Sequence, residues 1–166
     1  ITNFYGTQTQ VTVATFNVEN LDPGDGQEQF DKLGKQIAVN LGGPDIIGLQ
    51  EIQDNTGPTN DGVTSADVTL QMLVDAIAAA GGPTYAFLDN PFIGDDTNGG
   101  EPGGNIRVAY LYNPERVSFV PGSLDPVTDA VGQQTDPSNP FYDSRMPLAA
   151  TFTFNGEPIT AINNHF

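Results

Sequence analysis

Two short apolar runs, residues 11–17 (VTVATFN) and 45–51 (DIIGLQE), flank a segment in which Phe30, Leu33, Ile37 and Leu41 recur at helical spacing. A strand, a helix and a strand in succession close most readily as a parallel pair joined by a right-handed crossover, so an α/β design is expected. The turn-rich DPGDG leads into the helix, and Gly42, Gly43 and Pro44 stop it. Gly34 in its interior is expected to weaken it. The first run has little polar interruption and reads as a strand covered on both faces.

A second helix is expected from Ser65 as N-cap with Asp67 in the first turn, Leu70, Leu73, Val74 and Ile77 on the buried face, and Gly81, Gly82 and Pro83 as the stop. Residues 85–88 read as a short strand, and residues 90–105, rich in Gly, Asp, Asn and Pro, as a long loop. Strands 106–112 and 117–120 flank Asn113, Pro114 and Glu115, the signal of a hairpin. A further loop over 125–143 precedes a second hairpin, 148–154 with 158–165, about Asn155 and Gly156. The sum is roughly seven strands and two long helices, in an α/β (α+β) arrangement: one mixed, mainly antiparallel sheet with both helices on one face. The opposite face also carries apolar residues, Val13 and Phe16 alternating in one strand and Ala161 beside Ile162 in another, and needs a further cover. No repeat, heptad pattern or linker divides the chain, which reads as one domain or part of one.

The 21 acidic residues against 5 basic, a formal charge of -16, argue against a nucleic-acid reader that works through a lysine and arginine patch. Such a surface suits a secreted or salt-exposed protein, or simply a soluble one. Cysteine is absent, which excludes disulfides, thiolate metal sites and cysteine nucleophiles within these 166 residues. No apolar run approaches the roughly 18–20 residues that span a bilayer, and no signal-peptide pattern opens the sequence. There is no phosphate-binding glycine loop ending in Lys-Ser or Lys-Thr, no dinucleotide fingerprint and no G-x-S-x-G elbow.

Chemistry gathers at strand ends. Glu51 follows the apolar IIGLQ, where a lone carboxylate at the core's edge needs compensation by a divalent cation, unless it caps or ion-pairs. Hard oxygen ligands suit magnesium first, with manganese or calcium as alternatives. Asn17 can hold a phosphate oxygen or orient a metal ligand, or can simply form a turn. Asn163 and His165 share a face of the last strand, and His165, the only histidine, can serve as general acid or base or be structural. Arg145, at a loop-to-strand junction, and Arg107 are candidate phosphate clamps or surface ion-pair partners. Asp96, Asn98 and Gly100 match only the start of an EF-hand, whose bidentate glutamate position falls on Arg107, so that reading is rejected.

The ordered blocks TFNVENL (15–21), DIIGLQEIQDN (45–55), IRVAYLYNPERV (106–117), SRMPLAATF (144–152) and ITAINNHF (159–166) resemble the endonuclease/exonuclease/phosphatase superfamily, and within it secreted bacterial nucleases. The resemblance implies a four-layer α/β/β/α sandwich that cleaves phosphoester bonds with a divalent metal. Glu51 would match the metal-binding glutamate, Asn17 the asparagine beside metal and phosphate, Arg145 the phosphate-binding arginine, and His165 the histidine that assists proton transfer or phosphate stabilisation; Asn163, on the same face as His165, is a candidate substrate contact. It further implies that residues 1–166 are the N-terminal half of such a domain, because the later Asp-x-Asn and Asp-His motifs and the second sheet are not in them. The expected partners are then a nucleic acid, DNA before RNA, and a complementary C-terminal segment, in a secreted or periplasmic setting. A phosphatase or lipid or sugar phosphodiesterase of the same superfamily is the alternative, and a non-catalytic, calcium-stabilised binding module a third reading.

Overall fold

The structure, a computed structural model, describes residues 5–97 and 102–165. Strand β1 (Val13–Leu21) lies parallel to β2 (Ile46–Ile52), with Val13 opposite Ile46 and Asn17 opposite Gln50. Helix α1 (Gln27–Lys35) occupies the crossover between them. Strand β4 (Arg107–Tyr112) runs antiparallel to β2 and to β3 (Ala86–Leu88), giving the order β1-β2-β4-β3. Helix α2 (Asp67–Ala79) packs beside α1.

The expected single sheet is two. Strands β5 (Ser118–Phe119), β6 (Leu148–Phe154) and β7 (Glu157–Asn163) form a separate antiparallel sheet. The turn at Asn113 forms as expected, its carbonyl accepting from Arg116 and Val117, but it does not close a hairpin. It carries the chain from one sheet to the other. Aromatic packing explains the transfer: Phe119 meets Tyr112 at 6.5 Å and Phe152 at 6.1 Å between ring centroids, so its half-buried ring packs against the second core rather than pairing its strand with β4. The second hairpin forms as expected, with Asn155 and Gly156 both at positive φ (53° and 84°), the tight-turn geometry that this pair favours. The expected loop 125–143 contains a short helix, α3 (Ala130–Thr135), capped by Asp129.

Alternation along β2 and β4 builds two cores. Ile47, Leu49, Ala109 and Leu111 face Phe30, Leu33, Ile37, Leu70, Leu73 and Ile77 of the helical layer. Ile46, Val108 and Tyr110 face Leu148, Ala150 and Phe152 of the second sheet. Burial pushes the Tyr110 hydroxyl pKa up, so it stays a donor, and it bonds the Leu148 carbonyl at 2.8 Å across the layer. The second sheet is thus the cover that the apolar face required. It stops short of β1, which is an edge strand covered on one face: Val13 is 57% exposed, and so is Ile162 at 56% on β7.

Two local expectations change for physical reasons. Gly34 does more than weaken α1: a Cβ there would lie 2.6 Å from the Ala76 carbonyl carbon and 2.9 Å from the Ile77 nitrogen, so its bareness sets how closely α1 meets α2. Helix propensity favours alanine over glycine by about 1 kcal/mol, and overpacking against rigid backbone costs about 1–3 kcal/mol. Gly34→Ala is therefore expected to destabilise by up to about 2 kcal/mol in urea denaturation, whereas a surface helical glycine would gain about 1 kcal/mol on the same change. The cap of α2 comes from a distant residue: Asn55 Oδ1 accepts from Val68 and Thr69 at 2.9 and 3.4 Å, while Ser65 sits one residue before the Ala66 cap position.

Candidate active site

Parallel neighbours β1 and β2 lose their regular pairing at the same level. The β1–β2 register shifts between Asn17 and Leu21, and the β2–β4 register between Leu49 and Ile52. Within those gaps Glu19, Asn20 and Glu51 adopt left-handed backbone, with φ of 60°, 57° and 64°. Each such non-glycine conformation costs on the order of 1–3 kcal/mol, and bulges of this kind re-aim side chains at the rim of a sheet.

The Glu51 carboxylate is re-aimed across to β1. Asn17 Nδ2 donates to Glu51 Oε1 at 2.7 Å, and Asn17 Oδ1 accepts the Glu19 amide at 2.8 Å. Those two contacts settle which way the amide faces. His165 Nε2 stands 3.3 Å from the same Oε1. Three elements that enter the sheets separately thus meet on one oxygen. The Glu51 and His165 side chains are 22% and 23% exposed, open enough for a ligand and enclosed enough to strengthen charge interactions. Glu51 Oε2 accepts no hydrogen bond among the described residues.

Asn163 takes a different place from the substrate contact expected of it. It is buried, its Nδ2 donates to the carbonyls of Leu49 (2.8 Å) and Ala109 (3.0 Å), and its Oδ1 accepts from Gln50 Nε2 at 2.6 Å. Its amide lies over the bare Cα of Gly48, where a Cβ would come within 3.1 Å. Gln50 Nε2 also reaches the Gly48 carbonyl, and Gln50 Oε1 accepts from Thr15 at 3.0 Å. This chain of amides fastens β7 to β2 and β1 directly beneath Glu51. Nothing in the sequence marks Gln50 for this role: it closes the run IIGLQ, and only its contacts with Asn163 and Thr15 reveal it.

Arg145 lines a depression of about 380 Å³ with Asp96, Tyr142, Asp143 and Ser144, and its buried Nε has no partner among the described residues. No hydrogen bond or ion pair joins it to Asn17, Glu51 or His165 among the described residues. Arg107 is no surface residue: it is 1% exposed, with Nη1 3.3 Å from Asp89 Oδ1 and Nε donating to the Asn105 carbonyl at 3.0 Å. Of the rejected EF-hand pattern, Asn98 and Gly100 lie outside the described residues.

The donor set decides how well a cation fits. Among the described residues no three His, Cys, Asp or Glu side chains converge on one point. Calcium, which takes six to eight oxygens, is poorly served by one carboxylate. Magnesium commonly needs only one or two protein carboxylates, the remainder being water and phosphate oxygens, and a Glu51 oriented by Asn17 and open at Oε2 meets that demand. No helix among the described residues is long and apolar enough to cross a membrane.

No family model and no curated protein matches the sequence. Solved structures do match the fold. The endonuclease/exonuclease/phosphatase from Bacteroides vulgatus superposes with a TM-score of 0.56 at 18% identity, over 94% of this chain and 52% of that one. The endonuclease/exonuclease/phosphatase family protein from Leptotrichia buccalis gives 0.56 at 15% identity, over 95% and 54%. A β-hairpin deletion mutant of beta toxin from Staphylococcus aureus gives 0.52 at 16% identity, over 95% and 51%. The chain shares the fold of these three proteins and spans about half the length of each.

Proposed function

We propose that the chain contributes the N-terminal half of a secreted, divalent-metal-dependent phosphodiesterase that cleaves nucleic acid, with DNA preferred. The observation that carries this reading is the convergence of Asn17 Nδ2 and His165 Nε2 on Glu51 Oε1 at 2.7 and 3.3 Å. Glu51 would hold magnesium, or manganese in its place, through the open Oε2. Bound there, the cation supplies Lewis-acid stabilisation of charge at phosphorus and lowers the pKa of a bound water. Asn17, whose Nδ2 donates to Glu51 Oε1, would orient that carboxylate and stand beside the metal and the phosphate. In this reading His165 would exchange a proton with an oxygen of the reacting phosphoryl group, and Arg145 would offset phosphate charge.

The complementary half belongs in this reading as the partner that covers the rim between β1 and β7. A depression of about 430 Å³ runs there past Val13, Thr15, Gly48, Tyr110 and Ile162. Two edge strands with exposed apolar side chains at one rim call for further strands or a covering layer.

The charge of -16 favours a second reading, hydrolysis of a smaller phosphoester such as a lipid or sugar phosphate, because a polyanion is repelled more strongly than one phosphate group. Both readings meet in one assay of the intact protein against plasmid DNA and phospholipid vesicles, with magnesium, manganese, calcium or chelator. Metal-dependent nicking is expected. Selective lipid hydrolysis would replace the first reading with the second, and calcium-dependent thermal stabilisation without turnover on either substrate would overturn both.

A further inference from the structure

A second polar cavity lies on the other side of the same sheet rim. Arg107 pairs in register with Ile52, the residue after Glu51. Its side chain lines a cavity of about 290 Å³ with Thr64, Ser65, Asp89, Asn90 and Ile93. Two buried donors in this cavity's lining lack a partner among the described residues: Arg107 Nη2 and Asn90 Nδ2, on side chains 1% and 0% exposed.

Their orientation is settled by their other contacts. Asn90 Oδ1 accepts the Phe92 amide at 3.1 Å, an Asx turn that leaves Nδ2 as the remaining atom. Arg107 is held by Asn105 through Nε and only loosely by Asp89, at 3.3 and 3.4 Å from Nη1. Asp89 is in turn saturated, accepting the amides of Asn90 at 2.7 Å and Ala66 at 3.0 Å. Its negative charge is therefore already shared among three donors, and Nη2 faces no acceptor. A buried donor left without a partner costs about 1–3 kcal/mol, more when charged, so a cavity holding two of them is made for an acceptor.

We propose that this cavity binds a phosphate-type oxyanion through Arg107 Nη2 and Asn90 Nδ2. The carboxylates of Asp89 and Asp54 both act on the Arg107 guanidinium, yet Nη2 has no acceptor among the described residues, and an oxyanion supplies several acceptor atoms at once. The overall charge of -16 gives no general attraction to anions, so selectivity rests on these two donors. The phosphate source is either free inorganic phosphate or the terminal phosphate of a short nucleotide. The site shares no residue with the Glu51 cluster and does not depend on the reading given to it.

The experiment is thermal unfolding of the intact protein in chelator, with potassium phosphate titrated against potassium chloride at matched ionic strength. Phosphate at a hundredfold excess over its dissociation constant is expected to raise the Tm by roughly 5–10 °C beyond chloride. Asn90→Asp keeps the oxygen that caps Phe92, replaces the donor with an anionic acceptor, and is expected to abolish the phosphate increment while remaining folded. Arg107→Met should abolish it as well, and Glu51→Gln should retain it. A 5′-phosphorylated dinucleotide that acts at lower concentration than phosphate assigns the source to nucleotide ends; free phosphate acting at the lower concentration assigns it to the inorganic ion. Equal responses to phosphate and chloride, or an undiminished increment in Asn90→Asp, would overturn the proposal.

Discussion

Glu51→Gln is expected to lower metal-supported plasmid cleavage by about 10³-fold or more while changing unfolding stability by less than about 1 kcal/mol. The asymmetry follows from geometry. Glutamine keeps an oxygen to accept from Asn17 Nδ2, tolerates the same backbone at φ 64° no worse than glutamate does, and buries nothing new. What it removes is the charge that makes Oε2 a ligand for a hard cation. Binding of manganese, followed by electron paramagnetic resonance in the absence of any substrate, should weaken at least tenfold in parallel, which separates loss of the ion from loss of a proton-transfer step. The competing account makes Glu51 an ion-pair partner that holds His165 in place. On that account the variant loses stability and leaves manganese binding untouched, and such a result would remove Glu51 from the metal site.

The convergence of Asn17, Glu51 and His165 was legible in the sequence because each follows an apolar run that has to be a strand, and strands of one layered domain share ends. The mechanism of that convergence was not. The sequence places Asn17 at the close of a strand, whereas β1 continues to Leu21 through two left-handed residues, Glu19 and Asn20. A bulge that re-aims a carboxylate has no compositional signature when it is built from Glu and Asn instead of Gly. The division into two sheets was hidden for a related reason. Asn113-Pro114-Glu115 specifies that the chain turns, and only the packing of Phe119 on Phe152 and Tyr112 decides which sheet it turns into. Arg107 shows the same limit from the other side: in sequence it is one of five cations in an acidic chain, and tertiary burial alone makes it the least exposed of them.

Asn163 separates scaffold from chemistry most sharply, because its neighbour two residues on is the catalytic candidate His165 and strand periodicity puts both on one face. A substrate-binding asparagine keeps part of its amide free, and this one spends both ends internally, on Leu49, Ala109 and Gln50. Asn163→Leu, close in shape, leaves two buried carbonyls without this donor and one amide without this acceptor, while the Gly48 carbonyl still takes part of the Gln50 bonding. At about 1–3 kcal/mol per orphaned group, less that relief, the expected loss is about 3–5 kcal/mol, or roughly 6–20 °C in Tm for a domain of this size. Activity should fall with it, because Gln50 and β7 shift beneath Glu51 and carry His165 away from Oε1. Chemical denaturation and calorimetry read the first effect, and phosphodiester cleavage measured well below the lowered Tm reads the second. A variant with wild-type stability but a raised KM would return Asn163 to the substrate, and would mean that the amide chain joining β7 to β2 is not what holds the two sheets together at the active rim.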